Sequence, residues 1–283
     1  MSLLEKPIVT WFKKNKRDLP WRATTPWGVM VSEYMLQQTP VNRVLPKWIE
    51  WMDRWPTPAD LAIASPAQVI TAWGRLGYPR RALRLHAAAQ ILAEDFNNEV
   101  PSDEITLQSL PGIGQYTAAA IAAFAFEQRT LVMDVNIRRL LTRVIDGNEQ
   151  PKPAPTSQER AARLTLLPQR NAHVWAAATM ELGAIVCTSS NPKCELCPVI
   201  SQCNWRKNGY PKSDLIRKSQ EWHGTDRKCR GTIVQALRET ESLTESAIKK
   251  LWPDESQVEK ALTTLLEDRL IQSMPRRRFR LPL

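Results

Sequence analysis

Four thiols are crowded into one short stretch, Cys187, Cys194, Cys197 and Cys203, in the spacing C-x6-C-x2-C-x5-C. Thiolates so spaced can fold around one centre, and both zinc and a four-iron cluster accept four sulfur ligands. The spacing by itself leaves the two level. The segment also holds Pro192, Lys193, Glu195 and Pro198, too polar a company for four reduced core cysteines. Cys229 lies outside the cluster and reads as a structural thiol. Two acids also sit in apolar surroundings: Glu33 in Val31-Ser32-Glu33-Tyr34-Met35-Leu36, and Asp134 directly after Leu131-Val132-Met133. A carboxyl held among apolar groups resists ionisation and is suited to give a proton, while one that stays ionised can stabilise or attack a sugar cation. On the residues alone, Asp134 reads more simply as the cap of a helix beginning at Asn136.

A third element is the turn Leu110-Pro111-Gly112-Ile113-Gly114 followed by Gln115-Tyr116-Thr117. A Pro-Gly-x-Gly turn allows positive φ and bares the amides that open the next helix, which with the helix dipole make a seat for phosphate. By itself such a turn is often only a tight corner.

These residues need a scaffold, and the composition bounds it. A chain of 283 residues with 43% hydrophobic and 24% charged residues is an ordinary globular protein with a substantial core. Lys and Arg outnumber Asp and Glu by 39 to 29, a formal charge of +10 that favours a polyanionic partner, nucleic acid before a membrane surface. Met1–Thr10 carries no secretory signal, and the most apolar run, Ala118–Phe126, is too short to cross a bilayer. A cytoplasmic protein is expected, nucleoid-associated if bacterial, with the crowded cysteines used for metal and not for disulfides.

Apolar residues three and four apart predict helices over Val41–Trp55, Pro66–Leu76 and Arg80–Phe96, punctuated by Pro56, Pro58, Pro66, Pro101 and Pro111. No strand alternation precedes residue 205, so an all-α fold is expected there. Residues 207–228 read as a polar, basic linker. Beyond it, helices over Arg230–Arg238, Thr244–Leu251 and Asp254–Asp268, then a hairpin over Leu270–Leu281 bearing Arg276, Arg277, Arg278 and Arg280, give the layout of a winged-helix-like module. Its arginines are expected to contact backbone phosphate. A plain helical cap on the main domain is the simpler alternative.

Taken together, the cluster spacing, the hairpin and the acid after an apolar run resemble the endonuclease III superfamily of helix-hairpin-helix DNA glycosylases, and within it the adenine DNA glycosylases. The resemblance covers about residues 8–205 and is carried by Arg17-Asp18-Leu19-Pro20-Trp21-Arg22, Ser32-Glu33 through Thr39, Gly77-Tyr78, the hairpin, and Met180-Glu181-Leu182-Gly183-Ala184. It implies a six-helix barrel with the hairpin over 25–130 and a helical iron–sulfur domain from 1–24 and 131–206, while the winged-helix-like module over 229–283 lies outside it. It implies a [4Fe–4S] cluster on Cys187, Cys194, Cys197 and Cys203 in place of zinc. Glu33 then matches the acid that protonates adenine, and Asp134 the carboxylate that stabilises the oxocarbenium-like sugar. Tyr116 and Asn136 match residues that position these groups. Arg17, Trp21, Arg22, Leu36 and Glu181 resemble the pocket for the extruded base. Gln38 and Tyr78 match side chains that wedge into the duplex, offsetting lost stacking, and Gly112 and Gly114 match the DNA-binding turn. Trp21, Leu36 and Tyr78 also have a bland reading as core packing.

The resemblance further implies a monomer acting on duplex DNA with adenine mispaired to 8-oxoguanine or guanine. Bifunctional relatives carry a lysine just after the hairpin that forms a Schiff base; Tyr116 stands there, so a monofunctional enzyme is expected. Two features depart from the pattern. Val135 occupies a position commonly held by glycine, and 229–283 is too short for the nucleotide-hydrolase-like domain that reads 8-oxoguanine in familiar members. A thymine or uracil glycosylase for G:T or G:U mismatches, or a non-catalytic iron–sulfur DNA-binding regulator, are the alternatives.

Overall fold

The computed structural model describes residues 3–213 and 224–283. The helices are α1 (Glu5–Asn15), α2 (Pro26–Leu36), α3 (Val41–Arg54), α4 (Pro58–Ala62), α5 (Pro66–Trp73), α6 (Arg80–Asp95), α7 (Glu104–Ser109), α8 (Gln115–Phe126), α9 (Val135–Leu141), α10 (Ser157–Leu164), α11 (Ala172–Ile185), α12 (Asn204–Lys207), α13 (Asp226–Arg238), α14 (Glu245–Lys249) and α15 (Glu255–Glu267). Short strands β1 (Leu243–Thr244), β2 (Gln272–Met274) and β3 (Arg278–Arg280) complete it. Before residue 205 the described chain is helical throughout its regular structure, as the absence of alternation predicts. Among the described residues no helix is long and apolar enough to cross a membrane.

Helix starts follow local chemistry. Thr57 and Asp60 bond reciprocally ahead of α4, as do Ser65 and Gln68 ahead of α5, each with proline in the first turn. The chain divides into two compact units, and these cut the sequence differently from the division expected above. One comprises the described part of Met1–Val29, Ser102–Ser109 and Ile113–Arg217. In it α11 packs against α1, α8 and α9 around Ile8, Phe12, Leu140, Trp175 and Leu182. The helix α9 runs on into a π turn, Thr142–Asp146, closed by Gly147 at φ +75°.

The other unit comprises the described part of Met30–Pro101, Leu110–Gly112 and Lys218–Leu283. There α6 packs on α4 and α5, and Trp51 meets Trp55 and Trp73 edge-on at centroid distances of 4.8 and 5.4 Å. Its C-terminal part has a core of Ile233, Val258, Leu265 and Leu270 that is continuous with Ile70 of α5. Arg238 of α13 donates to the Ile70 carbonyl at 3.1 Å.

Three differences from the sequence expectation arise here. The α13 helix begins at Asp226, ahead of the expected Arg230, because Thr225 accepts from the Lys228 amide at 3.3 Å and caps it. The expected linker 207–228 therefore contributes to helices at both ends, and its residues 214–223 lie outside those described. Strand β1, too short to show alternation, pairs antiparallel with β3 through Leu243 and Phe279, giving the sheet order β1-β3-β2. Thr244 and Asp254 cap α14 and α15, accepting from Ala247 and Gln257 at 3.1 Å each. Of the four hairpin arginines, Arg276 and Arg277 lie exposed at the turn in left-handed backbone, whereas Arg278 is engaged with the Ser242 hydroxyl at 2.7 Å. Lys249 bonds Glu255 and Glu259 of α15 at 2.9 and 2.8 Å.

Candidate active site and cysteine centre

Asp134 caps α9, accepting from the Ile137 amide at 2.6 Å, and takes a second bond from the Asn136 side-chain amide at 2.9 Å. Burial pushes its carboxyl above the ordinary aspartate range, against the pull of those amides and of Arg139. Asn136 in turn accepts from Arg139 at 2.8 Å, and Arg139 also donates to the Cys187 and Gly183 carbonyls at 2.8 and 2.6 Å. The cap reading therefore holds: Asp134 starts α9, and its carboxyl is buried with its proton affinity raised. Val135 needs no glycine conformation, because it opens α9 with its side chain 52% exposed. The close approach falls at Gly183 instead, where a Cβ would stand 2.5 Å from the Asn136 carbonyl oxygen.

Glu181, 1% exposed, sits on α11 between two arginines. Arg17 forks onto it, Nε to Oε1 at 2.9 Å and Nη2 to Oε2 at 2.8 Å, and Arg22 reaches Oε2 at 2.9 Å. Burial pushes this carboxyl up, but the arginine bonds more than offset that and hold it below the usual range. Arg22 also stacks on Phe12 at 5.2 Å, and Trp21 beside it is buried. Tyr116, near the start of α8, is half-buried against the core of the same unit. Gly114 is the α8 N-cap and offers no side chain to the first-turn amides; its φ is −97°, so the positive φ expected of the turn belongs to Gly112 alone, at +87°.

The four cysteines line one cavity with Leu140 and Arg143. Arg143 donates to Cys187 Sγ at 3.4 Å and to the Thr188 carbonyl at 2.7 Å, and lies 4.5 Å over the Trp205 ring. Among the described residues, no three Cys, His, Asp or Glu side chains close on a single metal-ion position. Burial pushes the Cys197 thiol up to about 12, and the neighbouring cysteines add to the rise.

Glu33 lies in the other unit, on α2, and is 5% exposed. Its neighbour Tyr34 is fully buried and donates to the Pro111 carbonyl, while Gly112 packs so close that a Cβ would meet Tyr34 Cε1 and Arg84 Cβ at 3.0 Å. Leu36, half-buried, ends α2. Gln38 and Tyr78 follow on separate loops, both exposed and both in left-handed backbone, at φ +56° and +48°. A non-glycine residue held there stores strain of about 1–2 kcal/mol, which the surroundings must offset.

Arg81, which sequence reasoning missed, supplies that support. Its buried guanidinium donates through Nη1 to the Tyr34 and Met35 carbonyls at 3.0 and 3.2 Å and also to that of Gln37. Through Nη2 it reaches Thr39 Oγ1 and the Gly77 carbonyl, both at 3.0 Å. One cation thus satisfies the open carbonyl end of α2 and the turn before Tyr78. The only sequence signal was an arginine just beyond Gly77-Tyr78, indistinguishable there from surface charge.

A model of the HhH-GPD superfamily of base excision DNA repair proteins matches residues 31–165. An adenine DNA glycosylase of Mycolicibacterium smegmatis is 44% identical over 285 residues, covering 99% of this chain and 97% of that one. The adenine DNA glycosylase of Homo sapiens is 42% identical over 212 residues, 71% of this chain and 39% of that one. A solved thermostable thymine-DNA glycosylase superimposes with TM-score 0.66 at 24% identity, over 72% of this chain and 94% of that one, a likeness of fold.

Proposed function

Since this chain belongs to the adenine DNA glycosylase family of the HhH-GPD superfamily, we propose that it is a monofunctional enzyme that releases adenine mispaired with 8-oxoguanine or guanine in duplex DNA. It is a base excision repair glycosylase, hydrolysing an N-glycosidic bond. The observation that carries the mechanism is Asp134, a buried carboxylate held by the Ile137 and Asn136 amides, which favour its charged form. Glu33 gives a proton to the adenine ring, making it a neutral leaving group as the bond from C1′ to the base nitrogen breaks. Asp134 stabilises the positive charge left on the sugar. Water adds its oxygen to C1′, its proton passing to a carboxylate, and an abasic site remains. Tyr116 has no amine to form an imine, so the strand is not cut.

Arg17, Trp21, Arg22, Leu36 and Glu181 border the extruded base. Gln38 and Tyr78 enter the duplex where the base leaves. Gly112, Gly114 and the amides opening α8 bind phosphate. The protein works as a monomer in the cytoplasm. Cys187, Cys194, Cys197 and Cys203 hold a [4Fe–4S] cluster, which when bound contributes folding free energy to their loop; the shared cavity and the Arg143 bond to Cys187 fit an anionic thiolate centre. Cys197→Ser is expected to lower iron and sulfide content, bleach the visible absorbance and weaken duplex binding together. Full duplex affinity in an iron-free preparation would separate the cysteines from DNA binding.

Labelled duplexes with A:8-oxoguanine, A:G and T:G test the activity. Free adenine and alkali-labile sites are expected from the first two, with the strand intact before alkali. Release from T:G alone would make it a thymine glycosylase, and no release from any duplex would favour a binding regulator.

A further inference from the structure

Tyr78 does not stand alone on its loop. The guanidinium carbon of Arg227 lies 4.2 Å from its ring centroid, and that of Arg81 lies 5.5 Å away. Arg227 Nη2 also covers the Gly77 backbone, 3.9 Å from where a Cβ would be. Arg227 belongs to the first turn of α13, which is anchored by packing on α5 and by the Arg238 bond to Ile70. The adjacent Asp226 is engaged elsewhere, with Lys260 at 2.6 Å and Gln257 at 2.8 Å. The C-terminal part of the chain thus presents a stacked cation at the residue read above as a wedge.

We propose that Arg227 is a positioning residue for duplex opening: its guanidinium, stacked on Tyr78, fixes that ring as the wedge, so that the C-terminal segment takes part in extruding the base and not only in holding DNA. The inference rests on the reading of Tyr78 as a wedge. Two physical arguments support it. A planar guanidinium over an aromatic face restricts the ring without blocking its insertion, an interaction that strengthens as water leaves. Arg81 also experiences like charge here: burial first, then Arg227 and Arg43, push its guanidinium down to about 10. A phosphodiester arriving at the exposed Arg227 offsets that repulsion, so the arrangement is completed by DNA.

The test uses the full-length protein and a duplex with 2-aminopurine in place of the scissile adenine, whose fluorescence rises on unstacking. Arg227→Ala is expected to slow extrusion by about tenfold, the range of a desolvated cation–π contact. Arg227→Lys keeps the charge and loses the planar stack; it should retain affinity for a fully paired duplex yet remain slow in extrusion. Tyr78→Ala should be slow, and adding Arg227→Ala to it should change extrusion no further. Additive effects in the double variant, or wild-type extrusion with Arg227→Ala while Tyr78→Ala is impaired, would overturn the role of Arg227 and leave the wedge intact. Wild-type extrusion with Tyr78→Ala would instead overturn the wedge reading itself. Unchanged melting of Arg227→Lys excludes a folding defect as the cause.

Discussion

Asp134→Asn is expected to cut single-turnover base release by about 100- to 1,000-fold, the loss seen when one charge-stabilising group is removed from a transition state, and at the same time to raise the melting temperature. Both follow from the role proposed for Asp134. Asparagine can still accept from the Ile137 amide and cap α9, so the fold survives. What disappears is the negative charge that stabilises a sugar cation. Burial raises the Asp134 pKa in the folded protein. For a group shifted that way, its contribution to stability is fully present below the unfolded value of about 3.9 and is lost as pH rises through the higher folded value. At neutral pH the wild type bears the cost of a buried charge that the variant lacks. Part of the gain is returned, because the Asn136 amide would face another amide donor. A net rise in melting temperature is expected, and it should vanish near pH 3, where the wild type is protonated too. Wild-type base release should show an acid limb above the ordinary aspartate range. Normal release by the asparagine variant, or a melting difference that persists at low pH, would remove Asp134 from the chemistry.

The second large effect is expected at Arg81. Arg81→Met preserves bulk but leaves the carbonyls of Tyr34, Met35, Gln37 and Gly77 without this donor. Backbone acceptors deprived of a partner in a buried place cost about 1–3 kcal/mol each, not additively, since relaxation and water recover part. A loss of about 3 kcal/mol, read as a fall of about 6–12 °C in melting temperature, is the expected scale. Base extrusion should fall further than this partial unfolding explains, because the strain at Gln38 and Tyr78 would be free to relax. Comparing extrusion well below the melting range separates the two effects. A variant that melts like wild type would show that the carbonyls never depended on Arg81.

Much of the fold is legible in the sequence. Periodicity places α3, α5 and α6 to within a few residues, and the expected helices over Thr244–Leu251 and Asp254–Asp268 contain α14 and α15, because apolar faces are local signals. The cysteine quartet and the acids were visible by type and spacing. What stayed hidden depends on pairs distant in sequence. Arg139 looks like any helical arginine until Gly183 and Cys187 come to meet it. Val135 looked like a liability because the sequence cannot show that the tight approach lies on α11, at Gly183. Arg278 looked like one more free charge until β1 brought Ser242 alongside.

The outer edge of α15 has a consequence for how this protein meets the genome. Glu255, Glu259 and Glu267 of that helix are exposed, and Lys249 is drawn to the first two. Phosphate repels such a helix, so it is poorly suited to lie in a major groove and read base edges there. The segment instead exposes Arg276 and Arg277 at the tip of its turn, the arginines expected to meet backbone phosphate, and contacts of that kind report no base identity. Indifference to the surrounding letters suits an enzyme whose target can arise beside any neighbour.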